Sequence, residues 1–145
     1  MKVPKISRKQ AEEVVKDSSF KIDKKHGYTK KEIKKAKDFE KKHGFRYEDS
    51  WNLDRSIALY VLPRLVQLRD KHCGFPSTLL ENPEDSSNEE LNKKANKKWN
   101  KILNKMIYGF YLYITKESFE MSEEEKVAQR EGFALFKQYY SALWD

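Results

Sequence analysis

Residues 88–116 read NEELNKKANKKWNKILNKMIYGFYLYITK. Leu91, Ala95, Trp99, Ile102, Met106, Phe110 and Tyr113 recur there at three- and four-residue intervals, the period of one helix face. Lys93, Lys94, Lys97, Lys98, Lys101 and Lys105 fill the other side with no acid between them. The longest apolar run, Met106 to Ile114, is too short to span a bilayer. The segment therefore reads as an amphipathic helix from about Asn88 to Lys116, whose apolar face needs partners.

Those partners lie on both sides of it. Downstream, Ser122 and Glu125 form a capping box that opens a last helix. Ala128, Glu131, Gly132, Leu135, Phe136, Tyr139 and Leu143 are its expected inward positions. Gly132 is unfavourable by about 1 kcal/mol against Ala inside a helix, so it marks close approach to another helix. Upstream, residues 81–90 read as an exposed acidic loop. Before it, a helix from after Ser50 to about Lys71 carries Leu53, Ile57, Val61, Leu65 and Leu68 as its expected buried stripe, with a kink expected at Pro63. Cys73-Gly74-Phe75-Pro76 ends that element. Nearer the N-terminus, Ser7 caps a short helix to about Lys16, and Thr29 with Glu32 caps another that stops at Gly44. No segment alternates convincingly as a strand. The expected fold is all-α: a helical bundle of three longer helices with one or two short N-terminal helices. It forms a single domain, with a basic N-terminal segment over 1–44 and a bundle core over 45–145. Trp51, Trp99 and Trp144 are expected in that core. Residues 1 to about 28, rich in Lys and poor in large apolar side chains, are expected to be the least protected.

Charge is distributed unevenly. Residues 1–44 hold 15 Lys/Arg against 7 Asp/Glu, whereas residues 45–145 hold 15 against 16. The whole basic excess of the chain, +7, thus lies in the N-terminal third. Such asymmetry suggests nucleic acid, a nucleotide or an acidic protein as partner, or a solvated face that serves only solubility. A short duplication falls in the same region: Lys24-Lys25-His26-Gly27-Tyr28 recurs as Lys41-Lys42-His43-Gly44-Phe45. Twin anion clamps are one reading. Two helix ends, with basic side chains at the negative end of the dipole and a left-handed Gly after them, are the favoured one.

Catalytic and metal motifs are not legible. There is no Gly-rich phosphate loop and no Cys-x-x-Cys. His26, His43 and His72 are not spaced to ligate together, and His72-Cys73 lacks two further ligands. The single cysteine excludes an internal disulfide and fits a reducing compartment. Glu89-Glu90 and Glu123-Glu124-Glu125 fall in first helical turns, where the dipole favours them. Asp54 and Glu131 are expected near the interior, each paired with Arg64 or a Lys as a structural ion pair or as part of a site.

One constellation has the chemistry of a binding site. Arg46, Tyr47, Trp51, Arg55, Tyr60 and Arg64 lie within nineteen residues. Arg binds phosphate bidentately and aromatic faces stack on bases. Trp51 with Arg55, and Tyr60 with Arg64, are i,i+4 neighbours on a helix. The alternative is that the aromatics are core and the arginines serve as caps or ion-pair partners.

The chain from about 44 to 145 resembles a family of small uncharacterised proteins of tailed bacteriophages. The residues that carry the resemblance are Trp51-x-Leu53-Asp54-x-x-Ile57-Ala58, Leu62-Pro63-Arg64-Leu65, Gly74-Phe75-Pro76, Trp99-x-x-Ile102-Leu103-x-x-Met106-Ile107, and Glu131-Gly132-x-x-Leu135-Phe136-x-x-Tyr139-x-x-Leu143-Trp144. It implies action in the cytoplasm of a bacterial host and transfers no site. The expected function is a non-enzymatic binding protein without cofactor or metal. It would act against a host defence or regulatory system, by sequestering an anionic nucleotide or blocking a host protein. The alternative is a nucleic-acid-binding accessory that uses the basic N-terminal third. Homo-oligomers are compatible with either, and no membrane partner is expected.

Overall fold

The computed structural model describes residues 1–144. Five α-helices follow one another: α1 (Arg8–Ser18), α2 (Lys30–His43), α3 (Leu53–Lys71), α4 (Glu89–Thr115) and α5 (Glu123–Gln138). Short 3-10 turns lie between and after them, and no strand occurs among the described residues. The fold is all-α, as the periodicity predicts. Three helices begin with complete capping boxes: Ser7 with Gln10, Thr29 with Glu32, and Ser122 with Glu125. Asn88 caps α4 by accepting from the Leu91 amide at 3.1 Å. Among the described residues, no helix is long and apolar enough to cross a membrane.

α4 is the central helix. It packs along α5 on one side and α3 on another. Its predicted inner face is Leu91 to Tyr113 at helical spacing, but the C-terminal half is buried almost all round. Leu103, Ile107, Tyr108, Gly109, Leu112 and Ile114 are buried along with Met106 and Phe110. A helix clamped from two sides has no outward face to spare there. The core between α4 and α5 is aromatic. Trp99 meets Tyr139 at 5.4 Å between centroids, and Phe110 meets Phe133 and Phe136 at 5.0 Å each.

On α3 the register differs from the predicted stripe. Ala58, Leu62, Leu65, Val66 and Arg69 are buried, whereas Leu53 and Ile57 are about half exposed. The true row counts an alanine as apolar and includes a charged residue, so a search for large apolar side chains passes over it. α3 also continues through Pro63. Of the three tryptophans only Trp99 is core; Trp51 and Trp144 are exposed.

The N-terminus is better anchored than its composition predicts. Ile6 and Ala11 join the main core, and α1 packs on α3. Buried Arg69 donates to the Ile6 carbonyl at 2.8 Å and to Asn104 Oδ1 at 3.0 Å, and also pairs with Asp70 at 2.9 Å. It thereby fastens the chain before α1 to α3 and α4. α2 is the peripheral element: it has no buried residue, and its main packing partner is the Tyr47–Ser50 turn.

Candidate functional site

The segment from Ser18 to Phe20, the Tyr47–Ser50 turn and the first half of α3 meet around two adjoining depressions of about 300 and 380 Å³. Arg46, Trp51 and Arg55 line the first; Arg46 and Tyr60 line the second. Tyr47 packs edge-on against Trp51 at 5.8 Å. The Arg64 guanidinium lies 3.6 Å from the Tyr60 ring centre and donates to the Tyr60 carbonyl at 2.9 Å. All six residues singled out from the sequence are therefore connected through one region.

Their roles divide. Arg46 is a builder: it donates to Asp49 Oδ1 from Nε at 3.1 Å and from Nη2 at 2.7 Å, and to the Phe20 carbonyl at 2.9 Å. Buried Glu48 completes the joint by accepting from the Ile22 amide at 2.7 Å. Arg55 is half-buried and reaches the Ile114 carbonyl at 3.4 Å. The depression lined by Arg46 and Arg55 also carries Glu48 and Asp49, so its two cations face two anions. A small phosphate placed there gains little net field.

The aromatic side chains remain available. Tyr47 and Tyr60 are 52% and 61% exposed, Trp51 47%, Phe45 49% and Phe20 40%, unusual figures for rings this large. All of these but Tyr60, whose ring lies under Arg64, belong to one continuous ladder. Phe20 meets Trp51 at 5.8 Å, Trp51 meets Tyr47 at 5.8 Å, and Tyr47 meets Phe39 at 5.3 Å. The duplicated motif supplies both ends. His26 and Tyr28 pack on Phe20 at 4.7 and 6.3 Å; His43 and Phe45 pack on Phe39 at 4.3 and 5.5 Å. Gly27 and Gly44 take left-handed conformations, φ 84° and 79°, that end their helical turns as the favoured reading has it. Each Gly also turns the next aromatic back onto its Phe. Phe20 and Phe39 carry no signal of their own in the sequence; the Lys-Lys-His-Gly-aromatic repeat, one reading of which is a pair of anion clamps, is what points to this surface.

The stretch of chain that supplies both ends of the ladder is rich in lysine. Lys21, Lys24, Lys25, Lys30, Lys31, Lys34, Lys35, Lys37, Lys41 and Lys42 are all exposed. Among them only Lys34 is ion-paired, with Asp38 at 3.2 Å across an exposed helix turn.

The other expected groups lie elsewhere. Asp54 is exposed and accepts a hydrogen bond from the Tyr113 hydroxyl, which holds its carboxyl below the usual carboxylate range. Glu131 is exposed too, against expectation, and pairs with Lys105 at 2.8 Å. Neither meets Arg64. The reason for Glu131 is the tight helix crossing at Gly132, which leaves its neighbour pointing outward. His72 bridges the end of α3 to α4, with Nδ1 2.7 Å from the Gly74 carbonyl and Nε2 2.7 Å from Asn100 Oδ1. Lys93, Lys94, Lys97, Lys98 and Lys101 form a separate exposed row on α4. An open groove of about 1000 Å³ beside Phe75, Trp99 and Trp144 has no charged side chain in its lining. Among the described residues, no three His, Cys, Asp or Glu side chains gather as metal ligands would. No protein-family model, curated protein or solved structure matches this chain.

Proposed function

We propose that this chain is a non-enzymatic binding protein whose partner is nucleic acid, held by the basic N-terminal third. The observation that carries this is the lysine set from Lys21 to Lys42: ten exposed cations, nine without a carboxylate partner, all but Lys21 on two elements that bury no residue. Lysines with no core role and no intramolecular partner suit a polyanion, whose counterions they release. Lysine is depleted at protein–protein interfaces, so a protein partner suits this face less well. A sequestered nucleotide is also less favoured, because Glu48 and Asp49 offset Arg46 and Arg55 in the depression they share. In the phage setting that the resemblance implies, such a protein would serve as an accessory to nucleic-acid transactions or interfere with those of the host.

The test is fluorescence anisotropy with labelled single-stranded and duplex DNA at two salt concentrations. Wild type is compared with the variant Lys24→Gln, Lys25→Gln, Lys41→Gln, Lys42→Gln. Truncation is unsuitable, because Ile6 and Ala11 belong to the core. Affinity should fall steeply with salt, and the variant should bind more weakly with a shallower salt slope, by about 0.7–0.9 per lost phosphate contact. No binding of either DNA form at low salt, or an unchanged slope in the variant, would refute the proposal.

A further inference from the structure

We infer that the aromatic ladder is a stacking platform for an unpaired strand, with the two Lys-Lys-His-Gly-aromatic repeats as equivalent phosphate clamps at its ends; this rests on the nucleic-acid reading above. A basic surface alone does not distinguish single strands from duplex, since both present phosphates. Exposed rings do. The bases of a duplex are already stacked, so a protein ring gains a base face only by unstacking them. A single strand offers its base faces freely, whatever its sequence.

The geometry supports a built platform. Phe20, Trp51, Tyr47 and Phe39 follow one another at steps of 5.3–5.8 Å, and the three steps are tilted or edge-to-face, at 44°, 87° and 77°. The rings thus brace one another while Phe20, Trp51 and Tyr47 stay exposed and Phe39 half-buried. The bracing groups beneath are polar and fixed: Arg46 holds Asp49 and the Phe20 carbonyl, and Glu48 holds the Ile22 amide. Rings held in this way lose little freedom when a base settles on them.

The repeats give the platform two like ends. Exposed Lys24 and Lys25 directly precede His26, which packs on Phe20, and exposed Lys41 and Lys42 directly precede His43, which packs on Phe39. A strand laid from one end to the other would meet a Lys-Lys pair, then rings, then a second Lys-Lys pair. An anionic membrane fits less well, because the aliphatic side chains of α2, Ile33 and Ala36, are half-buried rather than open to a lipid surface. The opposite charge of the occupant and the stackable ring faces point to the same ligand class.

The experiment uses the full chain and a labelled oligothymidylate of about 12 nucleotides, a length within the roughly 4–16 nucleotides a stacking fold covers. A duplex of equal length and anionic vesicles serve as competitors. The variants are Trp51→Ala, Trp51→Phe, the pair Lys24→Gln, Lys25→Gln and the pair Lys41→Gln, Lys42→Gln, each checked by circular dichroism for retained helix. The single strand should bind at least about tenfold more tightly than duplex. Trp51→Ala should weaken it by about five- to hundredfold at unchanged salt slope, and Trp51→Phe should restore most of the loss. Each lysine pair should lower the salt slope by a similar amount, about 1.4 for a single strand. Equal affinity for duplex with Trp51→Ala silent and both lysine pairs effective would overturn the stacking inference while leaving the nucleic-acid proposal standing. Vesicles that displace the strand more strongly than duplex does would also overturn it. No binding of either DNA form would remove both.

Discussion

Gly132 of α5 lies against Gly109 of α4 so closely that a Cβ built on Gly132 would fall 3.1 Å from the Gly109 Cα and 2.5 Å from the Lys105 carbonyl oxygen. Both obstacles are backbone, so neither can swing aside. Alanine at 132 gains about 1 kcal/mol of helix propensity. Against that, forcing the helices apart disturbs the aromatic core that they share. We expect Gly132→Ala to destabilise by on the order of 1–3 kcal/mol net, read from the urea midpoint. Gly109→Ala, whose built Cβ has its nearest contacts at 3.3 Å, should be milder. A Gly132→Ala protein as stable as wild type would mean that α4 and α5 do not cross there.

Arg69 is expected to be the most sensitive polar residue. It is 6% exposed and joins Ile6, Asp70 and Asn104. Arg69→Met keeps most of the stem but leaves a buried carbonyl and an amide oxygen without their donor. A loss of about 3 kcal/mol is expected. Hydrogen exchange around Ile6 and Ala11 should accelerate first. Uniform acceleration across the chain with no early phase at the N-terminus would argue against a local clasp.

What could be read from the sequence depended on how the signal is carried. Capping boxes at Thr29 and Ser122 are local chemistry and gave helix starts to within a residue. The close helix approach at Gly132 was legible because only a contact explains a glycine there. The register of α3 was not, since its buried row runs through Ala58 and Arg69, and burial of an arginine depends on an oxygen sixty-three residues away. The six site residues were found as a cluster, but the engagement of Arg46 with Phe20 and Asp49 is a product of folding. Phe136, an expected inward position, is half-buried and packs edge-to-face on Phe110. Phe136→Ala should accordingly cost about 2–3 kcal/mol, below the 3–5 of a fully enclosed ring. A denaturant midpoint equal to wild type would show that the ring contributes no packing.

Stability should fall on the acid side. A hydrogen bond from His26 holds the Asp23 carboxyl below its ordinary range, Thr29 does the same for Glu32, Tyr113 for Asp54 and Lys116 for Glu125. A carboxyl whose folded value is depressed adds stability above its unfolded pKa, near 4, and loses it as pH falls through the folded value. On the alkaline side Lys116, raised by its bond to Glu125 at 2.6 Å, contributes below its unfolded pKa and loses that contribution as pH rises through the folded one. The melting temperature should therefore be flat between about pH 5 and 9 and drop below about pH 4. Glu125→Gln should lower it at pH 7 and flatten the acid limb. A variant with an unchanged acid limb would show that this bond does not report on folding.

α2 links stability to binding. It buries no residue and rests mainly on the Tyr47–Ser50 turn, whereas α4 is enclosed on two sides. Amides of α2 should exchange through local opening, at free energies well below the global value, while those of buried α4 positions such as Leu103 and Ile107 require global unfolding. A bound strand that contacts Lys41, Lys42 and the ring of Phe39 would have to be released before α2 opens. At a ligand concentration of about 100 times Kd, the expected stabilisation is about 2.7 kcal/mol, or close to a hundredfold slower exchange in α2. The two helices separate the explanations. A ligand bound elsewhere on the fold would slow the globally exchanging amides of α4 and leave the local opening of α2 untouched. Slowed exchange in α2 places the strand on the N-terminal platform; slowed exchange confined to α4 would move the site to another face, with the exposed lysine row from Lys93 to Lys101 as its next location.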